Sequence, residues 1–115
     1  MGQTIVITHH MADLDALASL IGAAKLYPGA IALRGRVVSP PVHRYLALHK
    51  DQLPLVPYAS IDPATVARVV VVDVRDRRRL EEYHPMLAAA REVIIFDHHP
   101  PCDDDLDGDE IVVEP

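Results

Sequence analysis

A single cysteine, Cys102, is all the thiol in this 115-residue chain, which excludes an internal disulfide and any Cys-rich zinc cluster. An excess of basic charge is also missing: 17 acidic side chains against 11 basic ones leave a formal charge of -6 at pH 7. Non-specific attraction to nucleic acid needs a net basic face and is disfavoured on that count. A nucleotide substrate is not excluded, because bound divalent ions reverse the local field of an acidic site. Long apolar runs are absent. Ala16 to Ala24 is too short to span a bilayer and begins inside a polar motif. No signal peptide is visible, and neither G-x-G-x-x-G nor a Walker lysine loop occurs, so the dinucleotide-fingerprint and P-loop classes fail. There is no internal repeat and no linker. The expectation is one soluble, cytoplasmic domain without a membrane partner.

What is present is an alternation of short β-branched runs with helical segments, in a chain that is half apolar and carries 10 prolines. Gln3 to Thr8 reads as a buried strand and Asp13 to Tyr27 as a helix closed by Pro28-Gly29. Ala30 to Val38 is a strand candidate interrupted by Gly35, and Pro41 to Leu53 a helix opened by proline. Leu55 to Tyr58 contains Pro57 and is therefore expected to be short or at an edge. Asp62-Pro63 starts a helical turn, and Arg68 to Val74 is a strongly buried strand. Arg77 to Ala90 is expected to be helical, with Pro85 kinking or splitting it. Glu92 to Asp97 is a buried strand, Pro100 to Asp109 a loop, and Ile111 to Glu114 a last strand candidate. Strands alternating with helices imply an α/β fold, a parallel sheet covered on both faces.

Ligands of such sheets bind just beyond the carboxyl ends of the strands. Three strand ends here carry the same kind of chemistry. The first is followed by His9-His10-Met-Ala-Asp13-Leu-Asp15, the central one ends at Asp73, and the next at Asp97-His98-His99. Carboxylates mixed with imidazoles suit Mn²⁺, Mg²⁺, Co²⁺ or Fe²⁺ better than a thiolate-type zinc site. Two such ions about 3.5–4 Å apart clamp a phosphoryl group and generate a nucleophile at neutral pH. Asp73, on the central strand, stands where a carboxylate can bridge them. Each piece alone is ordinary: D-x-D at a helix start is usually a cap with a solvated neighbour. Their coincidence at three strand ends favours a site.

These residues resemble the signature of the DHH phosphoesterase superfamily, which includes RecJ-type exonucleases, nanoRNases, cyclic dinucleotide phosphodiesterases and family II inorganic pyrophosphatases. The H-x3-D-x-D motif is matched by His9, Asp13 and Asp15, the second motif by Asp73, and the third by Asp97-His98-His99. The resemblance implies a three-layer, Rossmann-like parallel sheet. It also implies one metal on His9, Asp13 and Asp73 and a second on Asp15, Asp73 and His98. On the same basis His99 faces the substrate phosphate and Asp97 orients the histidines. The implied ions are two divalent cations, Mn²⁺ foremost, with Mg²⁺ or Co²⁺ as alternatives. His10 matches no ligand position.

His10 to Ala30 and Asp73 to Leu80 are similar, more narrowly, to the N-terminal DHH domain of large bacterial proteins with CBS domains and a poly(A) polymerase or tRNA nucleotidyltransferase module. An arginine matching Arg79 follows the second motif there, making Arg79 the best candidate for a substrate phosphate. The superfamily adds a further metal-binding aspartate and a separate substrate-binding domain, neither found up to Pro115, so residues 1–115 are expected to be the N-terminal part of a DHH domain, incomplete at its C-terminus. The implied activity is hydrolysis of a phosphodiester or phosphoanhydride in a short oligonucleotide, cyclic dinucleotide, pyrophosphate or polyphosphate. The partners implied are a phosphate-bearing small molecule or short RNA or DNA, and further C-terminal domains.

Other patterns weigh less. Asp103 to Gly108 with Glu114 formally matches a calcium loop, but Pro100-Pro101 and a strand precede it where a helix should, and an acidic solvated loop is the simpler account. Arg75, Arg77 and Arg78 read as a solvated turn, Cys102 as a loop thiol, and His43, His49 and His84 as structural or exposed. A receiver-like switch shares the central aspartate but needs a lysine near the last strand and no histidines at two strand ends. A nucleotide- or metal-sensing module without catalysis is the alternative from a different class.

Overall fold

The computed structural model describes residues 2–9, 11–35, 38–49, 55–74, 77–97 and 110–112. Among these residues, six strands form one sheet in the order β3-β2-β1-β4-β5-β6. They are β1 (Gln3–Ile7), β2 (Ile31–Arg34), β3 (Leu55–Pro57), β4 (Val66–Val72), β5 (Glu92–Phe96) and β6 (Glu110–Val112). Every neighbouring pair runs parallel. Helices α1 (Leu14–Leu26) and α2 (Pro40–His49) follow β1 and β2; α3 (His84–Ala89) precedes β5.

Strand alternation divides the apolar residues between two cores. Val6, Ala32, Val70, Val72 and Ile94 pack with Leu17, Leu20 and Ala23 of α1 and Val42 and Leu46 of α2. Ile5, Ile7, Leu33, Val69, Val71 and Ile95 turn the other way, against Leu80, Tyr83 and Met86. A strand apolar on both sides can be buried only between two helical layers, so the three-layer, Rossmann-like architecture follows from β1 and β4 themselves.

Proline and glycine set the boundaries. The helical segment expected to be kinked or split at Pro85 is divided just before it: a 3₁₀ stretch, Arg77–Tyr83, with a non-helical residue at Leu80, is followed by α3 with Pro85 in its first turn. Proline lacks the N–H that an unbroken helix needs there, and the first turn is where that loss is free. The strand expected over 30–38 stops at Arg34. A side chain at Gly35 would meet the Glu82 carboxylate at 2.6 Å and the Tyr83 hydroxyl at 3.0 Å, so glycine lets the 3₁₀ segment close against the end of β2. β3 is a three-residue edge strand ending at Pro57, where a missing donor costs no ladder bond. The Asp62 carboxylate caps a 3₁₀ turn at Pro63–Thr65 by accepting from the Ala64 N–H. β4 begins earlier than expected, at Val66, and ends before Asp73. The expected loop over 100–109, with Cys102 and the acidic run, lies outside the described residues, as does Arg75.

No helix among the described residues is long and apolar enough to cross a membrane.

Candidate metal centre

Strand order places the site. β1 is flanked by β2 on one side and β4 on the other, and the chain leaves β1 towards β2 and β3 before crossing back to β4. The carboxyl ends of β1 and β4 thus border the crevice where the sheet changes winding direction, the usual ligand position in such sheets. His9 follows the end of β1, and Asp73 follows the end of β4.

Met11 adopts a left-handed backbone (φ 56°), and Ala12 then forms a parallel bridge with Val38. The Ala12 carbonyl accepts from the Ser39 N–H at 3.2 Å. The chain is thereby turned so that Asp13 enters α1 as its N-cap. One carboxylate oxygen of Asp13 accepts from the Ala16 N–H at 2.8 Å, and its carbonyl accepts from Leu17 at 3.0 Å. A carboxylate there also meets the positive end of the helix dipole. Asp73 is left-handed too (φ 60°), and its N–H donates to the Phe96 carbonyl at 2.9 Å, fastening it to the end of β5. Two non-glycine residues in this uncommon conformation, in two of the three motifs, are what a backbone constrained by a site looks like.

His9, Asp13 and Asp73 converge: each offers a ligand atom, and these atoms all lie within 4.8 Å of one another. Nε2 of His9 is 3.8 Å from a carboxylate oxygen of Asp73. An ion holding its donors at about 2.0–2.2 Å keeps them no more than roughly 4.4 Å apart, so the cluster needs only side-chain adjustments of a few tenths of an ångström to close on a cation. The donor set, one imidazole and two carboxylates, fits a hard or borderline divalent ion. His9 is buried, Asp73 half-buried and Asp13 exposed, so the cluster opens from the sheet edge to solvent.

The other candidates fall as follows. Asp15 sits exposed in the first turn of α1 and is not part of the three-residue cluster. Asp97, just past β5, is buried. His98 and His99 lie outside the described residues. Arg79 is exposed on the 3₁₀ segment, and its Nη2 lies 2.9 Å from Nδ1 of His9. A guanidinium only donates, so Nδ1 is the acceptor. His43 and His84 are exposed on α2 and α3, while the His49 ring lies tilted against Tyr45 with ring centroids 4.6 Å apart. Sequence reasoning passed over Thr8. It is buried and its hydroxyl donates to the Val72 carbonyl at 2.8 Å, joining the two strand ends. The only signal available was a threonine closing an otherwise aliphatic strand.

Comparison with known proteins agrees with this arrangement. A family model described as the DHH family, N-terminal domain, matches residues 3–115. The chain is also 30% identical over 104 residues, 89% of its length, to an A-adding tRNA nucleotidyltransferase of Geobacter sulfurreducens. It spans about 12% of the length of that relative. With motif order, sheet topology and cation cluster all in register, this chain belongs to the DHH family, as an N-terminal DHH domain.

Proposed function

We propose that the chain is the metal-binding part of a phosphohydrolase that cleaves a phosphodiester or phosphoanhydride bond. The carrying observation is the convergence of His9, Asp13 and Asp73 at the switch point of a parallel sheet. The DHH family is in general one of metal-dependent phosphoesterases. In this proposal His9, Asp13 and Asp73 hold one divalent ion, and Asp15, Asp73 and His98 a second, with Mn²⁺ as the first choice and Mg²⁺ or Co²⁺ as alternatives. Bound there, such ions supply Lewis acidity at the phosphoryl group and lower the pKa of water.

The chain's own residues supply the rest. Asp97, buried at the end of β5, orients the histidines that follow it, and His99 donates to the phosphoryl oxygen on which charge develops. Arg79 offers a planar pair of donors to a phosphate. Substrates that fit are short RNA or DNA, cyclic dinucleotides, pyrophosphate and polyphosphate. Further C-terminal domains complete the cleft in the whole protein, in keeping with the small share of its relative that the chain spans.

A second function is favoured by the relative's own activity, A addition to tRNA. In that second proposal the present domain senses a nucleotide or cation and regulates an attached RNA-processing enzyme without hydrolysis.

Mn²⁺ calorimetry on this chain and on Asp73→Asn, with circular dichroism to verify folding, tests the cation site. Binding in the wild type that is lost in a folded variant supports it; no binding in a folded wild type refutes it. Mn²⁺-dependent hydrolysis of a dinucleotide or of pyrophosphate by a longer version then separates enzyme from sensor, since the sensor binds without turnover.

A further inference from the structure

Arg79 occupies the wrong side of His9 for a histidine that ligates a cation. Such a histidine uses one ring nitrogen for the ion and donates the N–H of the other to a carboxylate, a carbonyl or water. Here the nitrogen turned away from Asp73 is Nδ1, and its partner at 2.9 Å is a guanidinium, which can only donate. Nδ1 must therefore carry the lone pair, and the single ring proton of neutral His9 resides on Nε2, the nitrogen 3.8 Å from the Asp73 carboxylate.

Proton accounting makes this contact incompatible with cation ligation. Ligation through Nε2 requires its lone pair, so the ring proton moves by way of solvent to Nδ1, where it opposes an Arg79 N–H. Ligation through Nδ1 consumes the lone pair that Arg79 uses. Both routes break the contact. Charge acts in the same direction. A divalent ion neutralises the Asp13 and Asp73 carboxylates that draw a cation to this edge, and it repels the guanidinium. Arg79 is free to move because its side chain is exposed, while the next residue, Leu80, is fully buried and anchors the 3₁₀ segment.

We propose that Arg79 is a cation-displaced arm: it holds His9 through Nδ1, and a divalent ion binding at His9, Asp13 and Asp73 releases it to engage a phosphoryl oxyanion. This rests on the cation-binding proposal above and adds an order of events to it. A guanidinium bound to His9 is held at the imidazole through one of its donors; once released, it can turn a full pair of donors to phosphate. Cation binding thus creates the anion site, and by linkage a bound phosphoryl group favours the cation-loaded state.

Long-range ¹H–¹⁵N correlation spectra of the ¹⁵N-histidine chain, with His9 assigned through His9→Gln, report the tautomer directly. The expected result is the Nε2–H form without added ion and the Nδ1–H form at saturating Zn²⁺, a diamagnetic probe. In Mn²⁺ calorimetry, Arg79→Met binds about five- to tenfold more tightly than wild type, the equivalent of one ordinary net hydrogen bond, while the neighbouring Arg78→Met stays within about twofold. Inorganic phosphate then binds Mn²⁺-loaded wild type more tightly than Mn²⁺-loaded Arg79→Met. An Nδ1–H tautomer without ion, or equal Mn²⁺ affinities for wild type and Arg79→Met, overturns the arm and leaves the cation site standing. Failure of both folded proteins to bind Mn²⁺ overturns both.

Discussion

Thr8 and Val72, 64 residues apart, are joined by a buried hydrogen bond in which the threonine hydroxyl donates to the valine carbonyl at 2.8 Å. Each immediately precedes a member of the cation cluster, His9 and Asp73 respectively. The bond therefore sets the spacing of the two strand ends at the point where their ligands emerge. Thr8→Val, which keeps the shape and removes the donor, is expected to cost about 1 kcal/mol of stability and weaken Mn²⁺ binding several-fold. Thr8→Ser should retain most of both. Urea unfolding and calorimetry on the three proteins check this.

Asp13 has two duties that substitution can separate. Its carboxylate caps α1 and also faces the cation cluster. Asparagine caps as well as aspartate but is a neutral, weaker ligand. Asp13→Asn should unfold at the wild-type temperature while losing tenfold or more in Mn²⁺ affinity. Asp13→Ala should lose both, with about 1 kcal/mol of stability gone. Thermal unfolding beside calorimetry distinguishes the two roles.

Asp73, a member of the His9–Asp13–Asp73 cluster, has a left-handed backbone (φ 60°). Glycine adopts that conformation without strain, whereas alanine does not. Asp73→Gly is expected to be about 1 kcal/mol more stable than Asp73→Ala, with Mn²⁺ binding abolished in both. If alanine proves as stable as glycine in denaturant titrations, the backbone at this position is not strained.

Tyr83 is fully enclosed in the core, and burial, then the Glu82 carboxylate, then Tyr58, push its phenol well above the ordinary value of 10.0. The folded chain therefore favours the neutral phenol, while the unfolded chain ionises it at the ordinary value. The corresponding stability is fully present below pH 10 and is lost as pH rises from there towards the raised folded value, at up to about 1.4 kcal/mol per pH unit. Tyr83→Phe should flatten that alkaline limb. Parallel unfolding series from pH 8 to pH 11 on both proteins measure the difference, and identical slopes would mean that the phenol is not the titrating group.

The reach of sequence reasoning varied along the chain for physical reasons. Val69 to Val72 could be assigned to a doubly buried strand because an unbroken β-branched run has no solvated side to offer. Asp13 could be read as a cap because capping is settled within four residues. The division of the helical segment after Asp73 is legible in Pro85, whereas the kink at Leu80 is not. The segment's composition is helical throughout, yet the kink at Leu80 and the first-turn position of Pro85 arise from docking Leu80 and Tyr83 into the core beside Gly35. Propensity is a weak local bias, and such packing overrides it.

Strand ends, ligand types and their order along the chain are local properties, fixed by turn chemistry and by the two-residue period of a strand. On these the sequence by itself determined the fold class, the edge of the sheet that bears the site, and His9, Asp13, Asp15, Asp73 and His98 as its candidate ligands. It could not determine which strand ends become neighbours, because that depends on pairings between residues tens of positions apart. The tertiary structure alone put β1 beside β4 rather than β3, brought His9 within 3.8 Å of Asp73, and left Asp15 outside the cluster. It alone put Arg79 against His9, 70 residues away, because the reach of a long side chain is decided by where its backbone docks.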